Sequence, residues 1–257
     1  MRIAFFDSGL GGITVLREAI KLLPKEDFIY FADTLHVPYG TKSKSLVKEY
    51  IFDAVAKIEK QGIKALVIAC NTATSIAVDD LRSCFPFPII GIEPAVKPAV
   101  EKNKHTNNRV LVLATPLTLK ESKFQDLVSK IDDVHIVDSL PLPELVTFCE
   151  ELQFDENVIV PYLADKLSTF DLSRYGTVVL GCTHFPFYRQ HLGKLLPEHV
   201  DIIDGSLGTA KRLKQLLAEN DMLQQTGNAD VTYLSSRESS DELIKMKRAM
   251  DYLCSQQ

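Results

Sequence analysis

Ala65-Leu66-Val67-Ile68-Ala69-Cys70-Asn71-Thr72 and Thr177-Val178-Val179-Leu180-Gly181-Cys182-Thr183-His184 carry the same pattern far apart in one chain. Each is a continuous apolar run rich in β-branched residues, closed by a cysteine and then by polar residues. A run without alternation suits a strand covered on both faces, the condition of a parallel strand between helices. Strands are also expected at Ile3–Phe6, Phe28–Ala32, Ile89–Ile92, Val110–Ala114, Val134–Val137 and Asp201–Ile203, most of them continuous apolar runs of the same kind, with strand cores at Ala65–Ala69 and Val178–Leu180. Between them, helical periodicity is expected over Gly12–Leu23, Ser43–Gln61, Thr72–Ser83, Thr118–Ile131 and Asn157–Phe170. Strands alternating with helices give an α/β fold with mostly parallel sheets.

Strand starts at Ile3, Phe28, Ala65 and Ile89 are answered in order by Val110, Val134, Val178 and Asp201. The openings Arg2-Ile3-Ala4-Phe5-Phe6 and Arg109-Val110-Leu111-Val112-Leu113 also match. The chain therefore reads as two similar lobes related by a pseudo-two-fold, residues 1–98 and 99–206, with the site in the cleft between them. The polar stretch Glu101–Asn108 marks the crossover. Residues 207–257, with a helix over Leu207–Leu217, a strand at Val231–Leu234 and a helix over Asp241–Leu253, are too few for a third lobe. They are expected to pack back on the first.

Composition narrows the function. The 257 residues are 46% hydrophobic and 25% charged, which suits a chain with a sizeable core. The net charge of −5 argues against a nucleic-acid partner, which calls for a basic face. No apolar run is long enough to span a membrane, and Asp7 interrupts the N-terminal apolar run too early for a signal peptide. With five cysteines and no tight pairs, the expectation is reduced thiols in a cytoplasmic protein.

Ligands of open α/β sheets bind beyond the carboxyl ends of the strands. Four polar clusters fall there: Asp7-Ser8-Gly9-Leu10-Gly11-Gly12, Asp33–Gly40, Cys70-Asn71-Thr72-Ala73-Thr74 and Cys182-Thr183-His184-Phe185-Pro186. The glycine-rich turn reads equally well as a tight strand-to-helix connection or as a cradle for a carboxylate or phosphate; it is neither the dinucleotide fingerprint nor a P-loop. Cys84, Cys149 and Cys254 read as small buried hydrophobes. Cys70 and Cys182 differ, because helix N–H groups beyond a strand end can lower a thiol pKa towards neutrality. Two thiols facing each other across a cleft can remove a proton from one side of a carbon and return one to the other, with Asp7 and His184 handling the thiol protons. Cys70, Cys182, His184 and Asp7 also permit a zinc reading, which the lack of C-x₂₋₄-C spacing disfavours. A non-enzymatic carboxylate-binding or thiol-sensing module is a third reading.

The segments Phe6–Gly12, Val37-Pro38-Tyr39-Gly40-Thr41, Ala69-Cys70-Asn71-Thr72-Ala73 and Leu180–Pro186 together resemble the cofactor-independent aspartate/glutamate racemase family, in the family's own order. The resemblance implies interconversion of L- and D-glutamate without a cofactor or metal, supplying D-glutamate for peptidoglycan in a bacterial cytoplasm. Aspartate or another amino acid is the alternative substrate, and a homodimer is a possible assembly. It further implies that Cys70 handles the α-proton of D-glutamate and Cys182 that of L-glutamate, assisted by Asp7 and His184. Ser8, Tyr39, Gly40, Asn71, Thr72 and Thr183 match the family's substrate-binding positions, as do Asp7 and His184. Asp33 and Glu150 correspond less closely to further acidic residues. Ser235-Ser236-Arg237 departs from the family pattern. No N-terminal extension precedes Met1, so activation by a peptidoglycan precursor is not expected.

Overall fold

The computed structural model describes residues 1–106 and 108–256. Among the described residues, nine strands form two sheets: β1 (Arg2–Asp7), β2 (Phe28–Ala32), β3 (Ile63–Ile68), β4 (Ile89–Gly91), β5 (Arg109–Ala114), β6 (Val137–Pro141), β7 (Tyr175–Leu180), β8 (Asp201–Asp204) and β9 (Val231–Ser235). The sheet orders are β4-β3-β1-β2-β9 and β6-β5-β7-β8, and every pairing is parallel. Reversed, the second order is β8-β7-β5-β6, the counterpart of β4-β3-β1-β2. The likeness extends to a shared irregularity. The β1/β3 register shifts between Arg2 and Ile3, and the β5/β7 register between Arg109 and Val110. The fold is thus two-lobed α/β, with helices flanking two parallel sheets.

The physical basis is burial. The central strands β1, β2, β3, β5 and β7 lie in the interior with almost every residue inaccessible, as their unbroken apolar runs demand. At a parallel strand's carboxyl end the next helix begins, so the chain turns at Asp7, Cys70, Thr115 and Cys182, all on the same side of their sheets. After β8, the helix Ser206–Glu219 packs on the helix Ile13–Leu22, and β9 then pairs with β2. That return is fastened by a buried ion pair: Lys64 Nζ is 2.6 Å from Glu26 Oε2 and donates to the Met222 carbonyl.

Four local expectations require correction. The strand expected at Val134–Val137 begins only at Val137 and runs to Pro141. Asp132 accepts hydrogen bonds from the N–H groups of Ile136 and Val137, both at 2.9 Å, and His135 is left-handed at φ 56°. The helix expected over Thr118–Ile131 is two helices, Pro116–Lys120 and Ser122–Ile131, separated by an extended Glu121. The start of the expected crossover, Glu101–Asn103, is the end of a helix, Val96–Asn103, and Asn107 within that crossover lies outside the described residues. Cys84 and Cys254 are exposed; of the three cysteines read as buried hydrophobes, only Cys149 is one.

Among the described residues, no helix is long and apolar enough to cross a membrane.

Candidate active site

Asp7 ends β1 with no solvent exposure. Its Oδ1 accepts from the Gly9 N–H at 2.8 Å, and its Oδ2 from the Thr183 hydroxyl, on the other lobe, at 3.0 Å. The turn is held from beneath by Tyr30, whose hydroxyl donates to the Gly9 carbonyl at 2.6 Å. Burial lifts Asp7 from its ordinary 3.8 to about 6, against the opposing pull of the His184 charge and these hydrogen bonds.

Cys70 caps the helix Asn71–Cys84. Its Sγ accepts from the Ala73 N–H at 3.4 Å, and the thiol lies 3.8 Å from the Ser8 hydroxyl, to which it donates. The helix terminus taken alone predicts a lowered thiol pKa. Burial instead pushes it well up, reinforced by the negative charge of Asp7; the helix N–H opposes this without prevailing. Cys182, beyond β7, has Sγ 3.6 Å from His184 Nδ1, and His184 Nε2 is 2.7 Å from Glu150 Oε1. Burial works against a charged imidazole, but the hydrogen bonds and charges of Cys182 and Glu150 outweigh it, and His184 is held well above its ordinary value. The same Glu150 oxygen accepts from the Leu10 N–H at 2.6 Å, so the glycine turn of one lobe reaches the acid of the other.

The remaining matched residues lie near Cys70. Thr72 Oγ1 is 3.1 Å from the hydroxyls of both Thr115 and Thr118, which are 3.0 Å apart. Gly40 presses so closely on Thr115 that a Cβ there would lie 2.5 Å from the threonine's own. Tyr39 is buried beside it, donating to Asp33 Oδ2 at 2.5 Å. Asn71 is 5% exposed, and its Oδ1 has no hydrogen-bond partner among the described residues. Asp33 therefore serves Tyr39 and His36, whereas Glu150 joins His184 directly.

Sequence reasoning missed Thr115 and Thr118. A signal existed: the two-fold repeat aligns Ser8 with Thr115, each one residue beyond the first strand of its sheet. Among the described residues no three of His, Cys, Asp and Glu are grouped as metal ligands would be.

The Asp7 environment sets a stability test. Its carboxyl is raised on folding, so it costs nothing below about pH 4, where folded and unfolded chains are both protonated, and the cost grows as pH rises through 6. Asp7→Asn is expected to unfold at higher urea concentration than the parent at about pH 8, by up to about 3 kcal/mol, with the difference vanishing near pH 3.5. A variant less stable than the parent at pH 8 contradicts this account of Asp7.

The sequence profile of Asp/Glu/hydantoin racemases matches residues 15–213. The chain is 56% identical over 256 residues to glutamate racemase 2 of Bacillus subtilis, covering 98% of this chain and 96% of that protein. It is 54% identical over 254 residues to the glutamate racemase of Halothermothrix orenii, covering 98% of this chain and 99% of that one. The Escherichia coli glutamate racemase, solved with L-glutamate and the activator UDP-MurNAc-Ala, superposes with a TM-score of 0.85 at 29% identity, over 98% of this chain and 95% of that one.

Proposed function

The chain belongs to the Asp/Glu/hydantoin racemase family and is a racemase, and we propose that it interconverts L- and D-glutamate by proton transfer between Cα and two cysteine sulfurs, with no pyridoxal phosphate. The observation that carries the proposal is the placement of Cys70 and Cys182 at the ends of equivalent strands of two sheets. Each has its own polar surroundings: Cys70 is bonded to Ser8 and feels the charge of Asp7, and Cys182 is bonded to His184, which is bonded in turn to Glu150.

In the L-to-D direction, Cys182 acts as a thiolate beside the His184 imidazolium and takes the α-proton. The Cys70 thiol, which burial keeps protonated, delivers its proton to the opposite face of the carbanion. The turnover leaves Cys182 as thiol and Cys70 as thiolate. The reverse reaction uses this state directly, and His184 and Asp7 reset it; an Asp7 pKa of about 6 suits proton exchange near neutrality. Asp7 and the unpartnered Asn71 Oδ1 take the substrate ammonium. Ser8 and Thr183 flank the α-carboxylate, and Tyr39, Gly40 and the hydroxyls of Thr72, Thr115 and Thr118 receive the distal one. The product serves peptidoglycan synthesis in a bacterial cytoplasm.

Racemisation in heavy water tests the reaction. Early in the time course the D-glutamate formed should carry deuterium at Cα while recovered L-glutamate carries none, because the proton delivered comes from a different thiol than the one that removed it. Deuterium appearing first in recovered L-glutamate overturns the two-base scheme. Turnover of aspartate in place of glutamate overturns the substrate assignment.

A further inference from the structure

Three local features, two at Glu121 and one at Lys44, meet in a single contact. The helical pattern across Thr118–Ile131 breaks at Glu121, whose φ −67° and ψ 136° are extended. The side chain of Glu121 is only 7% exposed, a costly place for a carboxylate without a partner. Lys44 is the first residue of the helix Lys44–Glu59, where the helix dipole disfavours a cation and no acidic residue of the first turn offsets it. Lys44 Nζ and Glu121 Oε2 are 2.6 Å apart, joining a helix of the first lobe to the break between two helices of the second. Rules of local structure are broken most often where function requires the exception.

The break has a consequence at the site. The Glu121 N–H is bonded to the carbonyls of Leu117 and Thr118, so the anchored residue is tied to the turn that carries Thr118. The short helix Pro116–Lys120 packs on the turn Tyr39–Thr41, and Thr115 and Thr118 reach Thr72 from it. The hydroxyl cluster that Thr115 and Thr118 form with Thr72 is buried, and Cys70, one residue before the helix that carries Thr72, is only 5% exposed, so a shift of the short helix is felt inside the site.

We propose that Lys44 and Glu121 are positioning residues for substrate binding: their ion pair seats the helix Pro116–Lys120 against the turn Tyr39–Thr41 and sets the Thr115 and Thr118 hydroxyls to receive the distal carboxylate. The proposal rests on the glutamate-racemase reading. Neither residue touches the reacting carbon, so their loss should weaken binding and leave the proton transfers intact. Lys123, 3.3 Å from Asp79, also joins the two lobes, but Asp79 is 74% exposed, and that pair is expected to contribute little.

Steady-state kinetics of the full-length protein with both enantiomers of glutamate tests this. Lys44→Gln and Glu121→Gln are each expected to raise KM about tenfold while kcat stays within about twofold, and Lys44→Arg should keep the parent KM. The double variant Lys44→Gln/Glu121→Gln should be no worse than the poorer single one, because each removes the same interaction. Lys123→Gln should leave KM unchanged. Single variants with the parent KM overturn the proposal, as does a double variant whose effect is the product of the two. An equal rise from Lys123→Gln also overturns it, since any lost surface cation would then suffice. A parent protein that does not racemise glutamate overturns both this proposal and the reading beneath it; an active parent with unaltered variants overturns this proposal alone.

Discussion

Replacing either cysteine by alanine, Cys70→Ala or Cys182→Ala, is expected to lower racemisation at least about a thousandfold, with the folded state retained. Both sulfurs are buried yet small, and each lies at a strand end with polar neighbours, so alanine leaves the core strands untouched. The proposed two-base scheme has no substitute for either one. With one thiol gone, a proton can still be removed from one face, but nothing remains to deliver one to the other. The residual reaction is therefore one-sided. Cys70→Ala should exchange the α-proton of L-glutamate with heavy water and leave D-glutamate untouched, and Cys182→Ala should do the reverse. The double alanine variant should exchange neither enantiomer, because each residual exchange depends on the one sulfur that its single variant retains. NMR of each enantiomer in heavy water reads all three outcomes. Substantial racemisation by either alanine variant, or exchange of the wrong enantiomer, ends the assignment of one thiol to each face.

Gly11→Ala is expected to cut kcat about a hundredfold through a single misplaced ring. An alanine Cβ at this position would lie 2.5 Å from both His184 Nδ1 and Thr183 Oγ1, and 2.7 Å from His184 Cε1. Nδ1 is the atom 3.6 Å from the Cys182 sulfur, and the ring is held at its far side by Glu150 at 2.7 Å. The imidazole cannot retreat without giving up one of these two partners. Gly11 is not in the left-handed region, so alanine is compatible with its backbone and the loss reports the collision, not strain. At Gly193 and Gly208 an alanine methyl would meet nothing within 4 Å, and Gly193→Ala and Gly208→Ala should keep parent activity. A Gly11→Ala protein within about threefold of the parent kcat would show that the first lobe's turn does not place His184.

Much of the fold was legible in the residues themselves. Continuous apolar runs at Ile3–Phe6, Ala65–Ala69 and Val110–Ala114 specify buried parallel strands because only a strand covered on both faces hides every side chain. The repeated cysteine endings of β3 and β7 then placed two thiols at equivalent points. Less was legible at the edges. The edge strand Val137-Asp138-Ser139-Leu140-Pro141 has one face in water and lacks the apolar run that marks its neighbours. The break at Glu121 is invisible to helical periodicity, since Leu117, Phe124, Val128 and Ile131 keep helical spacing across it.

Residue order alone establishes the α/β class and the internal repeat, and it singles out Cys70, Cys182, Asp7 and His184 as the candidates for chemistry, because strand and helix patterns are local and repeat visibly. The folded arrangement was needed to bring Glu150 to His184, to gather Thr72, Thr115 and Thr118 in one cluster, to return β9 to β2, and to join Lys44 to Glu121. It also reversed the expected direction of the Cys70 pKa, since burial is a property of the whole fold. These contacts join residues separated by 34 positions for Glu150 and His184, 77 for Lys44 and Glu121, and 140 for Leu10 and Glu150. Nothing in the local chain dictates such pairings. They follow from how two separately patterned lobes close on each other.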